Sequence, residues 1–208
     1  MIEQQLRPAE VLDPAVLDLL SAMRREEFVP PAHRALAFCD TQIPLGHGAT
    51  LLTPLVEARA LQALALKRHE KVLEIGTGSG YMAALLAAHA DHVWSFEIVP
   101  ELAETARRNL AHQGVVNVVV ETGNGAPGLP AQAPFDVIMV SGSVREVPPE
   151  LLAQLKVGGR LFAIVGQAPA MRAQLITRVT DTAFRTVGLF ETVAAALVDM
   201  PAKQAFVF

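Results

Sequence analysis

The 208-residue sequence contains very little cysteine, and Cys39 is its one thiol. An intrachain disulfide needs two cysteines, so the chain is not one of the small secreted folds that disulfides hold together. A lone cysteine is more often a small buried hydrophobic residue than a nucleophile. The composition therefore favours a protein of a reducing compartment.

Dense basic stripes and long apolar runs are also missing. The formal net charge is -4, the arginine pairs at 24–25 and 107–108 are isolated, and the opening MIEQQLRPAE is polar and acidic. Nucleic-acid binding favours clustered Lys and Arg, a membrane-spanning helix needs about 20 apolar residues, and a signal peptide starts basic and then apolar. We therefore expect no nucleic-acid partner, no membrane partner and a cytoplasmic location.

The first part of the chain carries helix signals and no convincing strand. Asp13-Pro14 is a typical cap with proline at the first helical position, and Pro30-Pro31 is expected to stop the segment that follows. A second start, Thr53-Pro54, leads into LVEARALQALAL, whose apolar positions suit a helix packed on one face. We interpret residues 1–68 as an N-terminal helical cap.

From residue 71 the pattern alternates between strands and helices. KVLEIG, HVWSFEI, VVNVVVE, FDVIMVSG and GGRLFAIVG are predicted strands, with helical segments between them. QLITRVT and FRTVGLFETV are expected to add two more strands. Continuous apolar runs joined by helices are typical of a parallel sheet covered on both faces, so residues 69–208 are predicted to form a doubly wound α/β domain with a mostly parallel sheet.

The strongest motif is VLEIGTGSGY, at the end of the first predicted strand of this domain. From Gly78 it matches a degenerate G-x-G-x-x-A dinucleotide fingerprint, with Glu97 at a suitable distance for a ribose. From Glu74 it matches the acidic-x-Gly-x-Gly-x-Gly pattern of S-adenosylmethionine-dependent methyltransferases. The long segment before the motif favours the second interpretation, because dinucleotide fingerprints usually follow the first strand. A plain tight turn is the remaining alternative.

The chain resembles the protein-L-isoaspartate O-methyltransferases, which methylate the free α-carboxylate of isoaspartyl residues in aged proteins. The segments that carry the resemblance are EQQLR (3–7), REEFVP (25–30), IPLGHG (43–48), VLEIGTGSGY (72–81), EI (97–98) and LKVGGRL (155–161). The resemblance implies a Rossmann-like class I methyltransferase fold, S-adenosyl-L-methionine as cofactor, S-adenosyl-L-homocysteine as product and no metal. It implies isoaspartyl-containing proteins or peptides as partners, and we expect a monomer.

Cofactor contacts are implied for residues at the ends of successive strands. They are Glu74, Gly76, Thr77, Gly78, Ser79, Gly80, Glu97, Ile98, Asn124, Gly125 and Ser141. By the resemblance, Glu97 would accept hydrogen bonds from the two ribose hydroxyls, as a carboxylate can. Asn124 stands where the family has an aspartate beside the adenine, and its side-chain oxygen can still accept from an exocyclic amine.

The loop GHGATLLTP departs from the family pattern Gly-x-Thr-Ile-Ser-x-Pro, whose serine hydroxyl lies near the carboxylate being methylated. Thr50 is kept, Leu52 takes the serine position and Thr53 follows it. Thr50 and Thr53 are the catalytic candidates, although a threonine before a proline is equally a natural helix cap. The predicted substrate-loop residues are His47, Gly48 and Leu52, and a histidine between glycines is often a turn residue.

The leading hypothesis is methylation of isoaspartyl carboxylates, a protein-repair reaction. A carboxylate with a pKa of about 4 is already ionised at neutral pH, so the transfer needs no general base. Leu52, the segment Ser141-Gly142-Ser143 and the unlike tail also suit a protein that binds the cofactor and acts on another acceptor, or that has lost activity. A dehydrogenase is the remaining alternative.

Overall fold

The computed structural model describes residues 1–201, and residues 202–208 of the expected second domain lie outside it. The α-helices are α1 (Pro14–Ala22), α2 (Pro54–Leu64), α3 (Tyr81–Ala87), α4 (Pro100–His112) and α5 (Pro149–Ala153). The strands are β1 (Ile43–Gly46), β2 (Ala49–Leu51), β3 (Lys71–Ile75), β4 (His92–Glu97), β5 (Val118–Thr122), β6 (Phe135–Val144), β7 (Leu155–Gln167), β8 (Ala170–Arg178) and β9 (Phe184–Glu191). Within the described residues, no helix has the length and apolar character needed to cross a membrane.

The amino-terminal part confirms the predicted helix starts and corrects the rest of its interpretation. Asp13 caps α1 by accepting a hydrogen bond from the Ala15 amide at 2.9 Å. However, α1 ends at Ala22, well before the Pro30-Pro31 pair. The expectation of no strand was wrong, because β1 and β2 pair antiparallel as a hairpin. Pro44 interrupts β1 and β2 is only three residues long, so neither gives a periodic signal.

The main sheet has seven strands in the order β5-β4-β3-β6-β7-β8-β9. The first five of these pair in parallel, whereas β7, β8 and β9 form an antiparallel meander. This confirms the doubly wound, mostly parallel α/β fold. In the order β4-β3-β6, the strands on either side of β3 are reached through connections on opposite faces, which leaves a crevice at its carboxyl end.

Both faces of the sheet are buried along its central strands β3 and β6, as their continuous apolar sequences predicted, whereas most residues of the edge strand β9 are exposed. Along β3 and β6, Val72 and Val137 belong to one hydrophobic cluster, while Leu73 and Ile138 belong to a second on the other face. The first cluster includes residues of α1, α2, α3 and α4, and the second includes α5. The amino-terminal segment therefore shares a hydrophobic core with the sheet, and this shared core helps to fix the segment over the crevice.

Candidate active site

A pocket lies where β3, β4, β5 and β6 approach their carboxyl ends, with the β1–β2 hairpin beside it. Most of the expected site residues line it: His47, Gly48, Thr50, Leu52, Gly76, Gly78, Glu97, Ile98, Asn124, Gly125 and Ser141. The expected residues that do not line it are Thr53, Glu74, Thr77, Ser79 and Gly80. Among the described lining residues, the ionisable side chains are Glu97 and His47.

The glycine turn between β3 and α3 depends on left-handed backbone conformations. The φ angles are +93° at Gly76, +56° at Gly78 and +88° at Gly80, values that residues other than glycine rarely adopt. Gly80 faces α4, since a Cβ there would lie 3.3 Å from the Ala106 backbone. The Ser79 carbonyl accepts from the Asn109 side chain at 2.9 Å. Gly76 and Gly78 thus form the pocket wall, while Ser79 and Gly80 hold the turn against the helices.

Glu74 is fully buried behind the pocket. Its carboxylate accepts hydrogen bonds from the Ser95 and Ser141 hydroxyls, both at 2.6 Å, and the Thr77 hydroxyl lies 2.6 Å from that of Ser95. Burial raises the pKa of Glu74 to about 7, the negative charge of Glu97 adds to the rise, and the two serine hydrogen bonds oppose it. Ser141 therefore links the pocket surface to a buried polar chain rather than standing alone.

The raised pKa of Glu74 predicts a pH-dependent stability. The unfolded carboxyl loses its proton near pH 4.5 and the folded one near pH 7, so folding binds a proton in this window and the free energy of unfolding decreases as the pH rises through it. The loss is on the order of 3 kcal/mol and levels off above pH 7. Burial also raises the pKa of Glu57, which adds to the decrease in both proteins, so in Glu74→Gln only the share that comes from Glu74 should be missing from urea unfolding measured between pH 5 and pH 8. Parallel stability curves for the two proteins would contradict the assignment.

Glu97 is the charged group of the pocket and is 5% exposed. One carboxylate oxygen accepts from the Gly78 amide at 2.7 Å, and the other accepts from the Val99 amide at 3.0 Å. These bonds fix the carboxylate between the glycine turn and the start of α4. Because each carboxylate oxygen can accept two hydrogen bonds, both keep capacity for a hydroxyl group of a ligand. The neighbouring Ile98 also lines the pocket.

Asn124 lies in the loop after β5, where it lines the pocket with Gly125. Its side-chain oxygen, for which the family resemblance implies a contact to an adenine amine, accepts from the Ala126 amide at 2.8 Å. Its side-chain nitrogen donates to the Asp199 carbonyl at 3.3 Å. The side chain therefore also holds the loop and ties it to the chain after β9, so a contact to adenine would have to use the oxygen's second lone pair.

Part of the pocket wall carries no sequence motif. The segment 195–198 lines the pocket after β9. The Ser143 amide donates to the Ala195 carbonyl at 2.8 Å, and the Leu197 amide donates to the Ser143 carbonyl at 2.9 Å. The Leu197 side chain lies against the backbone of Gly76 and Gly142, where an added Cβ would be 2.8 Å and 2.6 Å from its Cδ2. The pairing with β6 is long-range, so no local signal predicted it.

The predicted substrate loop forms the hairpin turn and the chain leading into α2. His47 is exposed and has a φ of +51° between two glycines that also have positive φ, which is the turn geometry considered from sequence. Gly48, Thr50 and Leu52 line the pocket with it. Leu52 is 4% exposed, so its side chain contributes an apolar wall where the family pattern has a hydroxyl.

The two candidate threonines are both engaged in hydrogen bonds. The Thr50 hydroxyl donates to the Gln42 side-chain oxygen at 2.9 Å, and Gln42 in turn donates to the Val193 carbonyl at 2.8 Å. The Thr53 hydroxyl accepts from the Val56 amide at 3.3 Å and so caps α2. The predicted cap at Thr53 is thus confirmed and favours a structural role for this residue over a role in transfer, while a role for Thr50 in transfer remains a prediction.

Loss of the Thr53 cap should affect stability and leave methyl transfer intact. In Thr53→Ala we expect the free energy of unfolding to fall by about 1 kcal/mol, because an amide at the start of α2 loses its acceptor. Thr53→Ser keeps the hydroxyl and should stay close to the wild type. Urea unfolding measures the first effect, and initial rates of transfer measure the second. A rate loss in Thr53→Ala at full folding would place Thr53 at the acceptor instead.

The chain is similar to known proteins over most of its length. A family model described as Protein-L-isoaspartate(D-aspartate) O-methyltransferase (PCMT) matches residues 1–200. A protein-L-isoaspartate O-methyltransferase of Opitutus terrae is 44% identical over 180 residues, covering 86% of this chain and 76% of the relative. One of Myxococcus xanthus is 47% identical over 156 residues, covering 75% of this chain and 74% of the relative.

Solved structures resemble the fold. A protein-L-isoaspartate O-methyltransferase structure superposes with a TM-score of 0.79 at 28% identity, covering 92% of this chain and 63% of the other, so this chain spans less than two thirds of its length. A Plasmodium falciparum protein, assigned to the same enzyme and solved in complex with S-adenosyl-L-homocysteine, gives a TM-score of 0.77 at 21% identity, covering 91% and 94%. The second likeness concerns the fold alone.

Proposed function

The chain belongs to the protein-L-isoaspartate O-methyltransferase family and is an S-adenosylmethionine-dependent methyltransferase, and from this premise we propose that it methylates the free α-carboxylate of L-isoaspartyl residues in damaged proteins. The observation that carries the proposal is one shared pocket. Glu97 and the glycine turn line one part of it, and Thr50 and Leu52 of the hairpin segment line another. This arrangement supports a methyl donor and an acceptor that meet in a single cavity.

The residues of the pocket fit the cofactor. Glu97 has two oxygens with remaining acceptor capacity for ribose hydroxyls, and the turn at Gly76 and Gly78 offers backbone without side chains to the methionine part. Phe96 and Ile98 add apolar surface suited to a purine ring. When bound, S-adenosyl-L-methionine supplies an electrophilic methyl group on a positively charged sulfur.

The protein's own contribution to the reaction is positioning and exclusion of water. The acceptor carboxylate is ionised at neutral pH, so no residue has to remove a proton from it. Leu52 and Leu197 present apolar side chains to the cavity, which lowers the hydration of a carboxylate held there. Desolvation and orientation of this kind can contribute several kcal/mol to lowering the barrier.

Leu52 also supports a second candidate function. Its buried side chain offers no hydrogen bond to an acceptor, so the same site suits a different, more apolar acceptor, or binding of the cofactor without transfer. In either case the protein would bind S-adenosyl-L-homocysteine and leave isoaspartyl peptides unmethylated.

We propose the following organisation for the enzyme. Residues 1–68 act as a cap over a methyltransferase domain at 69–208, supported by the hairpin that lines the pocket. The enzyme works on proteins or peptides as a cytoplasmic monomer without a metal ion, since the cofactor alone supplies the electrophile.

The test pairs a binding measurement with an assay. The purified protein is titrated with S-adenosyl-L-homocysteine by calorimetry, and methyl transfer is then measured to an isoaspartyl peptide and to its aspartyl twin. Micromolar binding with transfer to the isoaspartyl peptide alone would establish the proposed function. Binding without transfer would overturn it in favour of the second candidate, and absence of binding would overturn both.

A further inference from the structure

Arg25 is fully buried and outside the pocket, yet it contacts the chain on several sides. Its Nε donates to the Ala37 carbonyl at 2.8 Å, and its Nη2 donates to the Leu52 carbonyl at 2.7 Å. Its Nη1 forms an ion pair with Glu57, which is 1% exposed. The guanidinium also lies 4.7 Å from the centre of the Tyr81 ring. A guanidinium is suited to bind several acceptors at once because its donors have a fixed planar geometry.

These contacts join the two walls of the active site. Leu52 lines the pocket and precedes α2. A hydrogen bond to its carbonyl therefore fixes the end of residues 47–53, the predicted substrate loop, which is called the acceptor loop below. Tyr81 is the first residue of α3, directly after the glycine turn, and it is fully buried. One side chain therefore holds the acceptor loop at a set position relative to the cofactor turn.

The burial of the Arg25–Glu57 pair is by itself weak evidence for a role in stability. A buried ion pair is costly to desolvate, and replacing both partners by apolar residues is often neutral or stabilising. Burial raises the pKa of Glu57 and the Arg25 guanidinium opposes the rise, which reflects the cost of burying this carboxylate. One Glu57 oxygen has no hydrogen-bond partner among the described residues. A requirement other than stability would explain why the pair is present.

We propose that Arg25, held by Glu57, is a positioning residue that fixes the acceptor loop 47–53 over the pocket through the Leu52 carbonyl. The inference rests on the proposed function for its kinetic consequence, while the position of the loop can be measured without activity. Arg25 touches neither the cofactor nor the acceptor in this role, and it acts through the loop backbone.

The test removes both charges together. Arg25→Met alone would leave Glu57 buried without a cation, so the test protein is the double variant Arg25→Met/Glu57→Leu, which is expected to fold. The matched control is Arg160→Met/Glu70→Leu. That pair is also mostly buried, although it is bidentate, at 2.6 Å and 2.8 Å, whereas Arg25 and Glu57 share a single contact. Arg160 likewise donates to two carbonyls, those of Leu64 and Ala65, away from the pocket.

Two readouts separate positioning from a structural role. Amide hydrogen exchange in residues 47–53 should become about tenfold faster in the test variant, with β3 and α4 unchanged, and should stay at the wild-type rate in the control variant. In the test variant, kcat/KM for transfer to an isoaspartyl peptide should fall by about tenfold to a hundredfold, mainly because KM rises. Its Kd for S-adenosyl-L-homocysteine should stay within about threefold of the wild type, because the loop does not hold the turn directly.

The outcomes are distinguishable. If the amides of residues 47–53 exchange hydrogen at the same rate in the test variant, the control variant and the wild type, the positioning role is overturned. A parallel loss of cofactor affinity and of peptide turnover would also overturn it, since that is the pattern of a general loosening of the fold. If the wild type itself fails to methylate the isoaspartyl peptide, the proposed function fails, and the exchange data alone still decide whether Arg25 fixes the loop.

Discussion

Replacement of Glu97 by alanine should weaken binding of S-adenosyl-L-homocysteine by about a hundredfold or more. Hydrogen bonds to a charged group contribute about 1.5 to 3 kcal/mol each, and 1.4 kcal/mol corresponds to a tenfold change in Kd. The variant also removes the acceptor of the Gly78 and Val99 amides, so the glycine turn loses part of its support. Calorimetric titration of wild type and variant gives the ratio directly.

Two variants control this prediction. Glu97→Gln keeps the shape and one acceptor oxygen, so its affinity should lie between that of the wild type and that of the alanine variant. Glu121→Ala removes an exposed carboxylate of β5 that does not line the pocket, and it should bind normally. Unchanged affinity in Glu97→Ala at full folding would show that the ribose is held elsewhere.

Replacement of Leu52 by serine should increase transfer to isoaspartyl peptides by about tenfold to a hundredfold in kcat/KM. The hydroxyl would enter the pocket wall where a carboxylate is expected, and a hydrogen bond to a charged group contributes about 1.5 to 3 kcal/mol. The same change deletes a buried side chain, 4% exposed, and should lower the free energy of unfolding by about 2 to 5 kcal/mol. The assay is therefore run at a temperature where urea unfolding shows the variant to be folded.

Leu51→Ser is the matched control. Leu51 is 6% exposed and is not among the residues that line the pocket with Glu97, so its substitution should reduce stability to a similar extent and leave the turnover of folded protein unchanged. A Leu52→Ser protein that is folded and no faster than the wild type would mean that the acceptor carboxylate does not meet this wall. That result would favour the second candidate function.

Local patterns accounted for much of the fold. The alternation of apolar strands with helical segments and the glycine string at a strand end are short-range signals, and the parallel sheet and the turn at Gly76 and Gly78 follow from them. The β1–β2 hairpin was missed because a strand of three residues and one containing Pro44 carry no usable period. The predicted caps at Asp13 and Thr53 were correct because a cap depends on residues only two or three positions away.

The candidate site shows where local patterns end. Glu74 belongs to the cofactor motif in sequence, but β3 alternates its side chains, so Glu74 lies behind Ser141 while the backbone after Ile75 faces the pocket. The motif predicted a site at this strand end, and a pocket lies there. Which of its side chains meet the cavity depended on the pleat and on β6, the neighbouring strand.

The sequence by itself determined the family, the fold class, the glycine turn and the acidic residue at the end of β4, because each is carried by local motifs or by the succession of local patterns along the chain. Only the tertiary structure decided that Arg25 meets Ala37, Leu52 and Glu57, which lie 12, 27 and 32 positions away, and that Leu197 closes the pocket against Gly76. Partners that far apart are brought together by strand order and by packing in a shared core. No local propensity specifies such contacts, so they become visible only once the chain has folded.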